Sequence, residues 1–237
     1  SYYAQITAID KEVGRMMNAL DELNLSDHTI VLFTSDHGDM LGSHGHVLKG
    51  RPWDESIIVP GIIRYPRYVE AGQKKDWLFS HVDFMPTLLG MCGIKVPENV
   101  QGRDLSKLFT NQGGNEQKGV FCFIHHSDYM VPDERLYPWR GVRTPKYMYA
   151  IMKGPRWVQY LMYDLKKDPY QFKNVVDDPA YAEVRAELDT MLKKEMIRTG
   201  DNWNPKDNFI GGLGVKLDGH PAVYHPNEVK AKLKNKK

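Results

Sequence analysis

Cysteine is scarce in this sequence, with two residues in 237 and no Cys-x-x-Cys pair. That scarcity excludes a fold built on disulfides and gives no sign of structural zinc. No run of eighteen apolar residues occurs, so we expect no membrane-spanning helix. Net charge is also small, since 32 basic and 30 acidic residues give a formal charge of +2. Without a strong positive field, we expect neither nucleic acid nor an anionic membrane as a partner.

The composition that remains is that of a folded protein. Apolar residues make up 41% of the chain and charged residues 26%, which excludes a disordered chain. A length of 237 residues allows one large domain or two small ones. The sequence opens on SYYAQITAID, without a methionine or a signal-peptide pattern. We therefore expect the chain to be part of a longer protein.

The first part of the chain carries the pattern of an α/β domain. Apolar residues recur at helical spacing over residues 3–23 and stop at a turn-forming cluster. Three apolar segments predict strands: 29–34, 60–65 and 78–82. The first of them has no polar alternation, which is typical of a strand buried on both faces of a parallel sheet. A helix capped by Asp83 is expected next, ending at Gly93.

The polar, glycine-rich segment 110–117 indicates a boundary, because the pattern changes beyond it. Four short aromatic or β-branched runs predict antiparallel hairpins: 120–125, 139–143, 147–151 and 157–163. A helix follows, with Asp178 as N-cap and Pro179 at its first position. We therefore predict two units. Residues 1–112 form part of an α/β domain, and residues 118–237 form an antiparallel-sheet subdomain with a packed helix and an extended tail.

The segment 34–50 holds the residues best suited to catalysis. It begins where the first predicted strand ends, and in open α/β sheets ligands bind just beyond the carboxyl ends of strands. Asp36 and His37 stand there, and an adjacent carboxylate and imidazole suit a divalent cation. Lys49 supplies a positive charge for an anionic group. From residue types alone, a turn-forming aspartate and an ordinary loop histidine are the competing interpretation.

This segment is the first of an ordered series of motifs. Ser35-Asp36-His37-Gly38, then Leu41-Gly42-x-His44-Gly45 and Lys49, resemble the second metal-binding signature of the formylglycine-dependent sulfatases. Further matches to that family follow in order at 55–60, 80–89, 101–105, 140–147 and 163–174, although the family usually has Glu where Gln171 stands. The resemblance implies the α/β alkaline-phosphatase-like sandwich. This chain would supply the C-terminal part of its large mixed or parallel sheet, plus a small subdomain with a four-stranded antiparallel sheet and a packed helix.

The resemblance also implies roles for individual residues. Asp36 and His37 would bind the active-site cation, calcium in most of the family and magnesium as the alternative. Lys49 would be catalytic, contacting the sulfate and neutralising charge on the leaving oxygen. Four residues are candidates for the substrate cleft: His44, His125, His126 and Arg140. A structural role is favoured for the last three, and also for His81, Asp83, Pro86 and Thr87, which match a helix-start pattern.

The family's nucleophile, a formylglycine made from Cys or Ser in a "C/S-x-P/A-x-R" motif, has no counterpart here. Neither Cys92 nor Cys122 heads that motif, so both are predicted to be buried, small apolar residues. The formylglycine and the missing N-terminal half of the catalytic domain are expected upstream. The fragment alone is expected to be inactive. By family resemblance the location would be periplasmic, secreted or lysosomal.

Three functions stay open at this point. The first is hydrolysis of a sulfate ester on a sulfated sugar or an aryl sulfate. The second is a phosphonate monoester or phosphodiester hydrolase of the same superfamily. The third is a catalytically silent binding fragment that keeps the fold. Residues upstream of this sequence would discriminate among them, because specificity is set by pocket loops rather than by fold.

Overall fold

The computed structural model describes residues 2–124, 130–131, 134–135, 137–154, 157–203, 216–217 and 220–221. The helices in these ranges are α1 (Tyr2–Glu22), α2 (Asp54–Ile57), α3 (Phe84–Met91), α4 (Ser106–Phe109) and α5 (Ala182–Thr199). The strands are β1 (Val31–Thr34), β2 (Gly61–Arg64), β3 (Val120–Ile124), β4 (Met130–Val131), β5 (Glu134–Arg135), β6 (Trp139–Arg143), β7 (Tyr147–Lys153), β8 (Val158–Asp164), β9 (Lys216–Leu217) and β10 (His220–Pro221). None of the described helices is long and apolar enough to cross a membrane.

Helix α1 forms where the spacing of apolar residues predicts it. It ends at the predicted turn, where Asn24 adopts a left-handed φ of 55° and the Leu25 N–H donates to the Leu20 carbonyl over 2.9 Å. No residue of α1 is buried. Tyr3 in the apolar stripe is 82% exposed. The apolar face of α1 therefore has no cover in the part of the chain that the structure describes.

Strands β1 and β2 pair in an antiparallel manner, with Phe33 opposite Ile62. The sequence pattern predicted a parallel environment for β1, and in the described residues its pairing differs from that prediction. An apolar run without alternation indicates that a strand is buried on both faces, but it does not indicate the direction of the neighbouring strand. The third predicted strand, 78–82, is also wrong, because residues 78–80 are extended but unpaired and a 3-10 turn begins at His81.

The segment that enters α3 is anchored on a buried carboxylate. Asp83 is the N-cap residue of α3, as predicted, but its side chain forms a capping box with Ser80, the N-cap of the 3-10 turn His81–Asp83, and does not cap α3. Asp83 is 2% exposed and accepts hydrogen bonds from the backbone N–H of Ser80 and Arg103 and from the Gln117 side chain. Because serine and aspartate are both favourable N-cap residues, the sequence alone did not show that Ser80 caps a separate turn before the helix. The helix ends as predicted, with Gly93 at a φ of 68°.

The C-terminal unit is an antiparallel meander in the order β3-β6-β7-β8, as the four predicted hairpin runs indicated. Side chains of β7 alternate between two buried clusters. Tyr149 and Ile151 pack with Leu188 and Leu192 of α5. Met148, Ala150 and Met152 face the opposite cluster, which Trp53 and Ile57 of the N-terminal part join. Burial on both faces explains why β7 reads as an almost continuous apolar run. Helix α5 follows a 3-10 turn capped by Asp178, whose side chain accepts from the Ala180 N–H over 2.9 Å.

Polar contacts tie the N-terminal segment around α2 to this sheet. Arg143 donates two hydrogen bonds to the Asp54 carboxylate, at 3.0 and 2.8 Å. The indole N–H of Trp53 donates to the Tyr163 hydroxyl over 3.2 Å, and that of Trp139 donates to the Gly50 carbonyl over 2.9 Å. The loop that ends at residue 50 is therefore anchored on β6 and β8. The division into units 1–112 and 118–237 stays a prediction.

The two cysteines differ in environment. Cys92 follows α3 at its C-terminal turn and is exposed, so the prediction that it is buried is wrong. A turn that ends a helix before Gly93 presents its side chains to solvent. Cys122 lies in β3, where burial raises the pKa of its thiol to about 12. It is therefore a protonated, inert thiol near neutral pH.

Candidate active site

The site is built at the end of β1, where the chain leaves the sheet at Ser35. Asp36 follows with its side chain 81% exposed, and its Oδ2 lies 3.2 Å from Nε2 of His37. The other oxygen, Oδ1, accepts the backbone N–H of His37 over 3.0 Å and lies 3.2 Å from the Ser35 hydroxyl. The structure thus brings the two predicted metal ligands together at the predicted end of the strand.

The tautomer of His37 follows from its contacts. Nδ1 lies 2.7 Å from the Gly38 carbonyl oxygen, which can only accept, so Nδ1 carries a hydrogen. The other ring nitrogen, Nε2, lies 3.2 Å from Asp36 Oδ2, so the two side chains present a nitrogen and an oxygen side by side. A histidine that donates one ring N–H to a backbone carbonyl while the other nitrogen stays free is the usual arrangement of a metal ligand. The donor set of Asp36 and His37 therefore fits a divalent cation.

Asp36 is held in its ionised form. Desolvation, the largest single contribution, raises the pKa of its carboxyl. The hydrogen bond from the His37 N–H, the neighbouring imidazole and the Ser35 hydroxyl together outweigh desolvation, so the pKa lies below the ordinary aspartate value. A deprotonated carboxylate at neutral pH is what metal binding requires.

The described residues supply only part of a metal site. Nowhere in these residues do three or more His, Cys, Asp or Glu side chains come together to hold a metal ion. Calcium takes six to eight oxygen ligands and magnesium six, which two side chains do not provide. Asp36 and His37 thus fit as contributors to a site that needs further donors.

Gly38 fixes this pair against α2. Its N–H donates to the Ser56 carbonyl over 2.9 Å. A Cβ at this position would lie 2.0 Å from the Glu55 carbonyl oxygen, far inside contact distance. The glycine of the Ser-Asp-His-Gly motif is therefore required by the close approach of two backbone segments.

Replacement of Gly38 by alanine is expected to force the two segments apart and to destabilise the protein by about 1–3 kcal/mol, the usual cost of overpacking. The denaturation midpoint of the enzyme that contains this chain measures the loss. Gly14→Ala is the matched control, because nothing lies within 4 Å of a Cβ there and the site is in α1. A Gly38→Ala midpoint equal to that of the control would contradict the close approach.

The loop from Met40 to Lys49 turns back on itself. The Met40 N–H donates to the Leu48 carbonyl over 2.6 Å, and the Gly42 N–H donates to the His46 carbonyl over 2.8 Å. Met40 is fully buried and anchors the loop. Lys49, the predicted catalytic lysine, is exposed just beyond the closure, and its side chain makes no hydrogen bond or ion pair with the other described residues. Its ammonium group is thus available to an anion.

His44 lies apart from the Asp36–His37 pair, on the aromatic side of the same loop. Its ring stacks on Trp53 with centroids 4.6 Å apart and lies 5.3 Å from the ring of Phe172. Nε2 of His44 is 3.9 Å from Glu55 Oε1, and neither this nitrogen nor Glu55 Oε2 has a hydrogen-bond partner among the described residues. The substrate-binding role predicted for His44 stays a prediction, and the contacts show a packed ring.

Among the remaining candidates for the substrate cleft, the structure describes Arg140. Arg140 is fully buried in β6, where its Nε donates to Asp201 and its guanidinium lies 5.1 Å from the Phe123 ring and 5.0 Å from the Trp203 ring. A guanidinium enclosed in this way does not face a substrate, so the favoured structural role is the one its contacts support. The candidates His125 and His126 lie outside the described residues.

Sequence reasoning missed a contact at this site. Nε2 of His81 lies 2.7 Å from the Ser35 carbonyl oxygen, directly before Asp36. The two residues are 46 positions apart, and His81 matched a helix-start pattern that suggested a structural role. The polar side chain in the exposed first turn of a helix was the one available signal.

Comparisons with known proteins show the family of this chain. Residues 42–198 match the family described as N-sulphoglucosamine sulphohydrolase, C-terminal. An ulvan-active sulfatase of Formosa agariphila is 33% identical over 88% of this chain and 40% of its own length. An N-acetylglucosamine-6-O-sulfatase of Bacteroides thetaiotaomicron is 31% identical over 85% of the chain and 36% of its own length. The chain thus spans about two fifths of the length of these relatives.

Solved structures agree. A protein solved in complex with its substrate, D-glucosamine-2-N,6-O-disulfate, superposes with a TM-score of 0.77 at 30% identity, covering 85% of this chain and 40% of that one. A phosphonate monoester hydrolase of Agrobacterium radiobacter superposes with a TM-score of 0.72 at 30% identity, covering 83% and 40%. Because the family match covers more than half of the sequence, the chain belongs to the sulfatase family. It corresponds to the C-terminal part of the family's members and has their alkaline-phosphatase-like fold.

Proposed function

We propose that this chain supplies part of the active site of a metal-dependent sulfate ester hydrolase that acts on sulfated sugars. The observation that carries the proposal is the Asp36–His37 pair, with an imidazole nitrogen 3.2 Å from a carboxylate oxygen at the end of β1. Lys49 projects from the same loop. Membership of the sulfatase family supports the interpretation of this donor set as part of a sulfatase site rather than as a solvated turn.

Each residue has a definite task in the proposed reaction. Asp36 and His37 would hold the cation, which we propose to be calcium, with magnesium as the alternative. When bound, the cation would stabilise negative charge on the sulfate oxygens. Lys49 carries a permanent charge on a flexible stem and would neutralise the leaving oxygen as the S–O bond breaks. The hydrogen bond from His37 Nδ1 to the Gly38 carbonyl oxygen orients the ring, with Nε2 on the side of Asp36.

We further propose that the site is completed by residues outside this chain, including a formylglycine nucleophile and additional metal carboxylates. Two observations support this. The described residues provide two donors where a calcium site needs about six. The apolar stripe of α1 is exposed, with Ile6 and Ile9 at 48% and 53%, as expected of a face that the rest of a larger domain covers. An exported or lysosomal location is proposed on family resemblance alone.

The substrate class rests on the relatives. One is named as active on ulvan and another on N-acetylglucosamine-6-O-sulfate, and a neighbouring structure holds a sulfated glucosamine. We propose a sulfated sugar for this chain on that basis. The phosphonate monoester hydrolase among the structural neighbours keeps a second function open, because both reactions need charge stabilisation on an oxyanion.

Paired assays on the complete enzyme separate the two functions. We expect hydrolysis of 4-nitrophenyl sulfate to exceed that of the matching phenyl phosphate and phosphonate esters in kcat/KM, and to fall after chelation and return with calcium. A preference for the phosphonate ester would transfer the proposal to the second function. Calorimetric binding of a sulfated oligosaccharide with calcium, without turnover of any ester, would instead indicate a silent binding protein.

A further inference from the structure

We infer that His81 is a positioning residue for Asp36, acting through the peptide group of Ser35. The inference rests on the proposed function, since it assumes that Asp36 binds the cation. It assigns a role to a side chain that sequence patterns place in an ordinary helix start, 46 residues away from the carboxylate loop.

The contact has a fixed direction. Nε2 of His81 is 2.7 Å from the Ser35 carbonyl oxygen, and a carbonyl only accepts, so the ring donates from Nε2. Ser35 is itself tied to the metal-binding pair, because its hydroxyl lies 3.2 Å from Asp36 Oδ1 and 3.0 Å from the His37 carbonyl oxygen. Removing the imidazole donor therefore frees the residue on which both ligands are oriented.

His81 is held on a rigid support. It lies between the N-cap Ser80 and the buried Asp83, which accepts from the Gln117 amide over 2.7 Å. Its ring packs against Phe84 with centroids 5.0 Å apart. The donor therefore comes from a packed support, whereas Asp36 is exposed and its side-chain contacts are with its neighbours Ser35 and His37.

Asp36 and His37 thus lie between two fixed points. His81 holds the peptide before them, and the hydrogen bond from the Gly38 N–H to the Ser56 carbonyl, 2.9 Å long, holds the peptide after them. Such outer hydrogen bonds typically change metal affinity or activity by about 10–100-fold when removed. In the described part of the chain, the bond to Ser35 is the only hydrogen bond that the His81 side chain makes, so helix α3 does not require it.

Three variants of the complete enzyme test the inference. His81→Phe keeps a ring against Phe84 but cannot donate, His81→Ala removes both functions, and His81→Gln restores an N–H donor at a similar reach. Titration of the chelator-stripped enzyme with calcium chloride gives Kd, and steady-state assays give kcat and KM. We expect Kd to rise and kcat to fall by about 10-fold or more for Phe and Ala, with Gln within about threefold of the parent.

The control is Val82→Ala, in the same turn, where the residue is 57% exposed and has no polar side-chain group to donate a hydrogen bond. We expect the control to bind calcium as the parent does. If His81→Phe folds and keeps the parent Kd and kcat, or if Gln fails as fully as Phe, the inference is overturned. Asp36→Ala separates failure of the proposed metal site from failure of the His81 inference. If Asp36→Ala binds calcium as the parent does, the proposed site is wrong. If Asp36→Ala loses calcium binding while His81→Phe keeps it, only the positioning role is wrong.

Discussion

Asp36→Ala in the complete enzyme is expected to lower kcat/KM for a sulfate ester by about 10²-fold or more, the scale of losing one group that stabilises a developing oxyanion. The carboxylate is ionised and exposed, and it lies beside the His37 ring. We expect no neighbouring described side chain to take its place. Asp39→Asn is the matched control. It removes the same charge from the same loop but keeps the oxygen that accepts the Leu41 N–H.

Lys49→Ala is expected to cause a loss of similar size, mainly in kcat, because the lysine is proposed to act on charge that develops in the transition state. Lys49→Arg should recover only part of the activity, since a planar guanidinium does not occupy the position of a compact ammonium. Lys74→Ala, at an exposed lysine outside the loop, is the control. A Lys49→Ala enzyme within a factor of two of the parent would remove this residue from the site.

Local signals in the sequence predicted most of the fold. Turn chemistry and apolar runs placed the four strands of the meander, and the Asp178-Pro179 pair placed the turn before α5, because these features depend on neighbouring residues. The direction in which a strand pairs with its neighbour could not be predicted from such local signals. An apolar run such as β1 pairs equally well in either direction, and the partner is set by the whole chain.

In the candidate site, too, features that depend on neighbouring residues were predicted and features that depend on distant residues were not. Adjacent residues such as Asp36 and His37 were found from the motif, because two consecutive polar side chains at a strand end need no tertiary information. The donor from His81 was not found, since it depends on the packing of a distant helix start. Arg140 was a candidate for the substrate cleft because its subdomain commonly lines that cleft in the family. The sequence does not distinguish an arginine that faces solvent from one whose side chain is buried, as that of Arg140 is.

Arg140 carries the largest expected effect on stability. Its side chain is 0% exposed and bonded to Asp201, which is 12% exposed, while burial lowers the pKa of the guanidinium and the pair with Asp201 partly offsets that shift. Asp201→Ala removes a carboxylate that is hydrogen-bonded to this buried guanidinium, so we expect a loss of about 3–5 kcal/mol in the free energy of unfolding. Urea denaturation of the enzyme measures it. Glu12→Ala is the control, because it breaks an exposed pair with Arg15 worth less than about 1 kcal/mol.

A double variant decides whether the loss comes from the unpaired charge or from the missing contacts of Asp201. Arg140→Met with Asp201→Ala removes both charges and keeps an apolar side chain between Phe123 and Trp203. Since a buried pair replaced by apolar groups is often close to neutral in stability, the double variant should recover most of the loss seen for Asp201→Ala. If it is less stable than Asp201→Ala by a further 2 kcal/mol or so, the guanidinium stabilises the sheet through its rings and carbonyl partners rather than through the ion pair.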